Sequence, residues 1–272
     1  MMKKMLRRQG LLILLFVLMG GAFVGCKVMD DQQREDRLKE LLRDKYGEEF
    51  EIREMQVTEA VHAWCYPLDD TALLFEIDTS LEMNQIAMDD YLQCLVERQL
   101  NNELQPLSES AFGKSLLSTD IPLASTENYV DPNSETVTME SLLEYIKSEE
   151  LSDRFFIYVF STNEKGDVQK EYDFICDIGK KYNEDDALEA ILVLYYGNEQ
   201  FLTDAEKALN MYGWSIATGS SSREDIMNVI KGQKSIVVHF DDGQPYIIEK
   251  EGTEKSKLTE EKFLQLRVEV CK

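Results

Sequence analysis

An α+β fold, mixed sheets with packed helices, is what this sequence predicts, and three observations predict it. Helix-spaced and strand-alternating apolar patterns intermix along the chain. The second half runs strand, helix, strand between Phe155 and Tyr196, the order of a βαβ-like unit. Hydrophobic residues make up 43% and aromatic residues 10% of the 272, ordinary for a chain with a packed core. The length suits one large domain or two subdomains.

From Arg37, leucines and a tyrosine (Leu38, Leu41, Leu42, Tyr46) recur at helical spacing until Gly47 stops them. Phe50, Ile52 and Val57 then alternate with charged residues, a strand pattern. Val61 to Tyr66 is a second strand closed by Pro67, and Thr71 to Asp78 a third after the Asp69-Asp70 turn. Ile86 to Leu104 predicts a helix with Tyr91, Leu92, Leu95, Val96, Gln99 and Leu100 on its stripe. Pro106 to Thr138 holds three of the five prolines and many Ser and Thr, which predicts a long loop. Glu140 to Lys147 resumes as a short helix.

Phe155 to Phe160 predicts a compact strand closed by the Asn163-Glu164-Lys165-Gly166 turn. Val168 to Tyr182 has helical spacing, with a strand over Tyr172 to Ile178 as the alternative. Ala190 to Tyr196 reads as a buried strand. Thr203 and Asp204 are N-cap candidates for a helix to Met211 that Gly213 ends, and Ser222 for a helix over Arg223 to Ile230 that Gly232 ends. Ser235 to Phe240 and Gln244 to Glu249 form a hairpin across Asp241-Asp242-Gly243. Thr259 to Val270 is a last helix or strand.

The start is different in kind. Lys3, Lys4, Arg7 and Arg8 precede an apolar run from Leu11 to Val24, 14 residues long. Spanning a bilayer as a helix takes roughly 20, so the run fits an export signal better than a permanent anchor. Within it Leu11 to Met19 is unbroken and the small residues Gly20, Gly21 and Ala22 follow; the stretch then ends in Phe23-Val24-Gly25-Cys26. This tetrapeptide resembles the lipobox of bacterial lipoproteins, in which a small residue precedes an obligatory cysteine. Gly25 and Cys26 match; Phe23 stands where Leu is usual, and Val24 where Ala or Ser is commoner.

The resemblance implies that the Cys26 thiol takes a diacylglyceryl group and becomes the lipid-bearing, palmitate-type N-terminus of an extracytoplasmic protein at the cell membrane. Two acyl chains hold a protein stably where one holds it marginally. The competing reading is free secretion after cleavage at Ala22, with Cys26 incidental. Asp44-Lys45-Tyr46-Gly47-Glu48-Glu49-Phe50 is similar to a segment of uncharacterised surface lipoproteins of Gram-positive bacteria, where it leads into strands.

The expected organisation is therefore a signal peptide (1–25), a polar tether (26–36), an N-terminal α+β subdomain (37–105), a Pro/Ser/Thr-rich loop (106–139) and a C-terminal α/β subdomain (140–272). Removing the signal takes four basic groups and no acidic one. The remainder has 25 basic against 52 acidic residues, a charge near −27. Such a surface excludes nucleic acid, whose phosphates need a basic stripe. It disfavours electrostatic adhesion to anionic lipid, and its plainest reading is a solvated, self-repelling surface.

Chemistry is hard to find in the pattern. The two histidines, His62 and His239, sit alone in predicted strands, which suits packing or solvation better than catalysis. There is no Cys-x-x-Cys and no two-histidine helix motif, so no metal or cofactor is expected. Cys65, Cys94 and Cys176 lie among apolar neighbours as free thiols would, and Cys271 next to the C-terminus; four cysteines still allow three pairings. Gly213-Trp214-Ser215-Ile216-Ala217 lacks the last glycine of a nucleophile elbow. Asp69-Asp70, Asp89-Asp90, Asp185-Asp186 and Asp241-Asp242 fall at turns or helix starts, where acids are favoured. Trp64, Tyr66 and Trp214 are either core or a stacking platform for sugar or peptide. A non-catalytic binding or accessory lipoprotein is the first expectation. The alternatives are a hydrolase of cell-wall polymers and a solute-binding protein.

Overall fold

The computed structural model describes residues 29–121, 141, 153–162, 166–182, 188–211, 221–248 and 254–272. The expected signal, Cys26, all but Ser141 of the expected Glu140–Lys147 helix, the Asn163–Lys165 part of the turn after Phe160, Asp185-Asp186, Gly213 and Trp214 lie outside them. Contacts divide the chain into residues 1–38 and 39–272. In the first unit, helix α1 (Asp31–Tyr46) starts six residues before Arg37, inside the expected tether. Its start is fixed by a reciprocal cap. Asp30 Oδ1 accepts the Gln33 N–H at 2.9 Å and Gln33 Oε1 accepts the Asp30 N–H at 3.3 Å.

In the second unit α1 ends on Gly47, whose φ of +76° suits a residue without Cβ. Strands β1 (Phe50–Val57), β2 (Val61–Pro67), β3 (Phe75–Thr79) and β4 (Ile86–Asp89) then form an antiparallel sheet in sequence order. One face of it is closed. Phe50, Val61, Ala63, Cys65, Phe75 and Ile77 are all buried. Tyr91 sits at the centre of that face, with ring centroids 4.7 Å from Tyr46, 4.9 Å from Phe75 and 5.2 Å from Phe50.

Residues 86–89, expected as the start of a helix, are a strand paired with β3. Helix α2 begins only at Tyr91 and runs to Phe112, straight through Pro106. The first part of the loop expected over Pro106 to Thr138 is therefore helix, followed by strand β5 (Ser115–Asp120); residues 122–138 lie outside the described residues. Propensity lost to tertiary bonding, because side chains on both sides of Pro106 hydrogen-bond β5.

The second sheet has the order β10-β9-β8-β7-β6-β5. Its centre is β6 (Asp153–Thr162) and β7 (Leu188–Gly197), which are parallel and joined by α3 (Val168–Tyr182), as the βαβ reading requires. All other pairings are antiparallel. Alternation sorts the side chains: Phe155, Ile157 and Val159 of β6, with Ala190, Leu192 and Leu194 of β7, pack toward the α3 side. Phe160 and Tyr195 face α4 (Glu199–Met211) and α5 (Ser221–Ile230), whose Phe201, Leu202, Ala205, Leu209 and Ile226 close the opposite layer. Asn198 caps α4 by accepting the Phe201 N–H at 2.9 Å, so Thr203 and Asp204 lie inside the helix rather than at its start.

β8 (Ser235–Asp241) and β9 (Gln244–Ile248) make the expected hairpin, with Asp242 and Gly243 both at positive φ as a type I′ turn demands. The short strand β10 (Lys255–Lys257) was not legible in the sequence; α6 (Glu260–Val270) follows, capped by Thr259.

Candidate binding face

The period-two geometry of β2 sends Val61, Ala63, Cys65 and Pro67 inward and His62, Trp64 and Tyr66 to the other side. The inward set is buried; the outward set is half-buried. Register builds rows across that outer face. Tyr66 lies opposite Glu51. Trp64 lies between Glu54 on β1 and Glu76 on β3. His62 lies between Gln56 and Asp78, with Met88 of β4 beyond Asp78. A bulge at Arg53 keeps Glu54 on the same side as Trp64.

Charge on this face is mostly negative. Glu51 is bridged by Lys39 at 2.5 Å, and His62 Nδ1 pairs with Asp78 Oδ1. Glu54 is exposed and accepts from Gln56 Nε2 at 3.2 Å. The aromatic faces and carboxylates alternate, an arrangement suited to holding a cation against a ring. So two of the three stacking candidates belong to one face, and neither is core.

The other sequence candidates fall elsewhere. His239 lies on the second sheet, 3.8 Å from Glu189 and stacked on Tyr246 with centroids 5.4 Å apart. Burial holds its imidazole below the usual range. Cys65 and Cys94 are buried and Cys176 and Cys271 half-buried; all four are free thiols. Burial pushes the Cys65 thiol well up, so it is inert. Among the described residues no three His, Cys, Asp or Glu side chains converge as a metal site, and no helix is long and apolar enough to cross a membrane.

Two buried polar centres escaped the sequence. Asp89 takes the Tyr46 hydroxyl at 2.5 Å on one oxygen and Lys45 Nζ at 2.7 Å on the other. Its neighbour Asp90 accepts the Glu76 N–H at 2.6 Å, and burial lifts its carboxyl to about 7. Asp89's side chain is only 1% exposed and Asp90 is enclosed, so neither can reach a substrate. The second centre joins α3 to α6. Glu171 Oε2 accepts from Arg267 Nε at 2.7 Å and from the Tyr196 hydroxyl at 3.0 Å, with the guanidinium over the Tyr196 ring. A doubled Asp beside apolar residues, or a lone Glu in a helix stripe, gives no outward sign of such burial.

A groove of 340 Å³ separates α2 and α3, floored by Leu104, Ala111, Phe174 and Ile178. Lys170, Asp173 and Asp177 line its rim, and Lys181 pairs with Glu103 beside it. Its mixed charge selects no occupant.

No protein-family model matches this chain. No curated protein matches it either. Among solved structures, the chain is similar to a DUF5037 family protein from Ruminococcus gnavus ATCC 29149. The TM-score is 0.60 at 19% identity, over 86% of this chain and 99% of that one. At that identity the likeness concerns the fold alone. Two mixed or antiparallel sheets with packed helices, an α+β architecture, are the result.

Proposed function

We propose that the chain is a lipid-anchored extracytoplasmic lipoprotein with a non-catalytic binding or accessory role at the cell membrane. The observation that carries the reading is the position of Cys26, directly after Gly25 where a 14-residue apolar run ends. A basic start, an apolar stretch too short to span, and an acidic remainder near −27 all agree with export followed by lipid attachment. The binding part draws support from the outer face of the first sheet, where aromatic rings stand half-buried among carboxylates. Its partner is an envelope or extracellular component rather than nucleic acid.

Growing expressing cells with an alkyne analogue of palmitate tests the anchor. Label on wild type and none on Cys26→Ser is the expected result. An unlabelled wild type, or equal label on both, would end the proposal.

A further inference from the structure

We infer that the start of α1 is held against the headgroup layer of the bilayer on a tether of three residues, so that the protein works at the lipid surface and not from the end of a stalk. This rests on the anchor part of the reading above, not on the binding part. Lys27, Val28 and Met29 are all that separates Cys26 from the Asp30 cap. Four Cα steps reach at most about 14 Å, whatever path those residues take. A tether running on to Arg37, where helical spacing begins in the sequence, would reach about 40 Å.

The helix lends no length to the tether. Asp30 and Gln33 each accept the other's main-chain N–H. The Arg34 N–H donates to the Asp30 carbonyl at 3.0 Å, and Arg34 Nη1 pairs with Asp31 Oδ1 at 2.8 Å. Unwinding the first turn breaks all four together, so folded structure has a fixed beginning.

Charge decides what so short a tether does. A body near −27 is repelled by anionic headgroups and does not settle on them by attraction. On a long stalk that repulsion would carry it many Debye lengths away, each about 8 Å at physiological salt, where it is screened. Here the body cannot leave. The start of α1 stays within about two Debye lengths of the headgroups, with the tether drawn taut.

The test is neutron reflectometry on the intact lipoprotein, purified from membranes and seated in a supported bilayer of phosphatidylcholine and phosphatidylglycerol at low salt. The inner edge of the protein layer should lie within about 15 Å of the headgroups. Inserting about twenty Gly and Ser residues between Val28 and Met29 gives a tether that spans ~25 Å and leaves the cap intact. Its layer should begin at least ~10 Å farther out.

Identical profiles for wild type and the insertion variant would overturn the inference. So would a wild-type layer that begins beyond about 20 Å, outside the reach of four residues. Palmitate labelling of the same preparations tells this failure from that of the anchor. A labelled wild type with a wide gap ends this inference alone. A wild type that takes no label and leaves no layer ends the anchor reading, and this inference with it.

Discussion

Asn101 Oδ1 on helix α2 accepts the main-chain N–H of Thr119 on strand β5 at 2.8 Å, where a neighbouring strand would otherwise bond. The pair belongs to a ladder. Glu97 Oε1 accepts the Ile121 N–H and Gln105 Oε1 the Leu117 N–H, both at 2.8 Å, while Gln105 Nε2 donates to the Ser115 carbonyl at 2.8 Å. Residues 97, 101 and 105 recur every four along the helix; 117, 119 and 121 recur every two along the strand. Those steps are each about 6–7 Å, so polar side chains of a helix match the free bonds of a sheet edge. β5 is the last strand of its sheet, and α2 closes that edge against pairing with another chain.

Replacing Asn101 by Leu removes the acceptor but keeps the volume. The Thr119 N–H is then buried without a partner, which costs about 1–3 kcal/mol. Urea unfolding should show a lower midpoint at unchanged slope. Equal midpoints for Asn101→Leu and wild type would show that the edge does not need the helix.

Asp90 makes stability depend on pH in an uncommon direction. Its carboxyl titrates at about 7 in the folded chain against an ordinary 3.8, because burial opposes its charge. Below pH 4 both states hold the proton and Asp90 contributes nothing. Between pH 4 and 7 the unfolded chain releases it while the folded chain does not, so stability falls as pH rises. The full cost, on the order of 4 kcal/mol, is present above pH 7. Asp90→Asn keeps an acceptor for the Glu76 N–H and removes the charge. The variant should be more stable than wild type at pH 8 and indistinguishable at pH 4. Parallel stability curves across that range would remove Asp90 from the pH dependence.

Legibility in the sequence followed how local the deciding interaction is. β2, β6, β7 and the β8–β9 hairpin were readable because alternation, apolar runs and Asp-Gly act within a few residues. α2 was misplaced at both ends. Met88 falls at helical spacing from Tyr91, Leu92 and Leu95, and only pairing with β3 makes residues 86–89 a strand. Pro106 signalled a loop, and bonds from Asn101 and Gln105 to residues 10–18 positions away in sequence were invisible. Ser115–Asp120 reads as a polar turn until a helix supplies its outer bonds. The candidate face was half legible: His62, Trp64 and Tyr66 were evidently on one side of a strand. Which side faces outward depends on Tyr91 and Phe75 filling the other.

Gly179 on α3 is a point of close approach. A Cβ there would come within 2.5 Å of the Phe240 ring and 2.6 Å of the Gly243 carbonyl oxygen. The ring can shift, but the backbone oxygen of a tight turn cannot without moving the hairpin. Gly179→Ala should therefore destabilise by about 1–3 kcal/mol, despite the better helix propensity of alanine. A thermal melt that rises instead would show that α3 has room to slide.

The Glu171–Arg267 pair ties the last helix to the sheet, and its loss should be asymmetric. Both side chains are almost closed to solvent, at 1% and 8% exposure. Burial raises the Glu171 carboxyl even with the guanidinium on it. Arg267→Met leaves the carboxylate buried without its cation, a loss of about 3–5 kcal/mol at neutral pH. At acid pH the orphaned carboxyl takes a proton, so the loss should shrink as pH falls. Adding Glu171→Gln removes the buried charge altogether. The double variant should regain at least half the lost stability at pH 7, and its deficit should no longer vary with pH. If Arg267→Met and the double variant lose the same amount at every pH, packing of the Arg267 stem, rather than its charge, holds α6 in place.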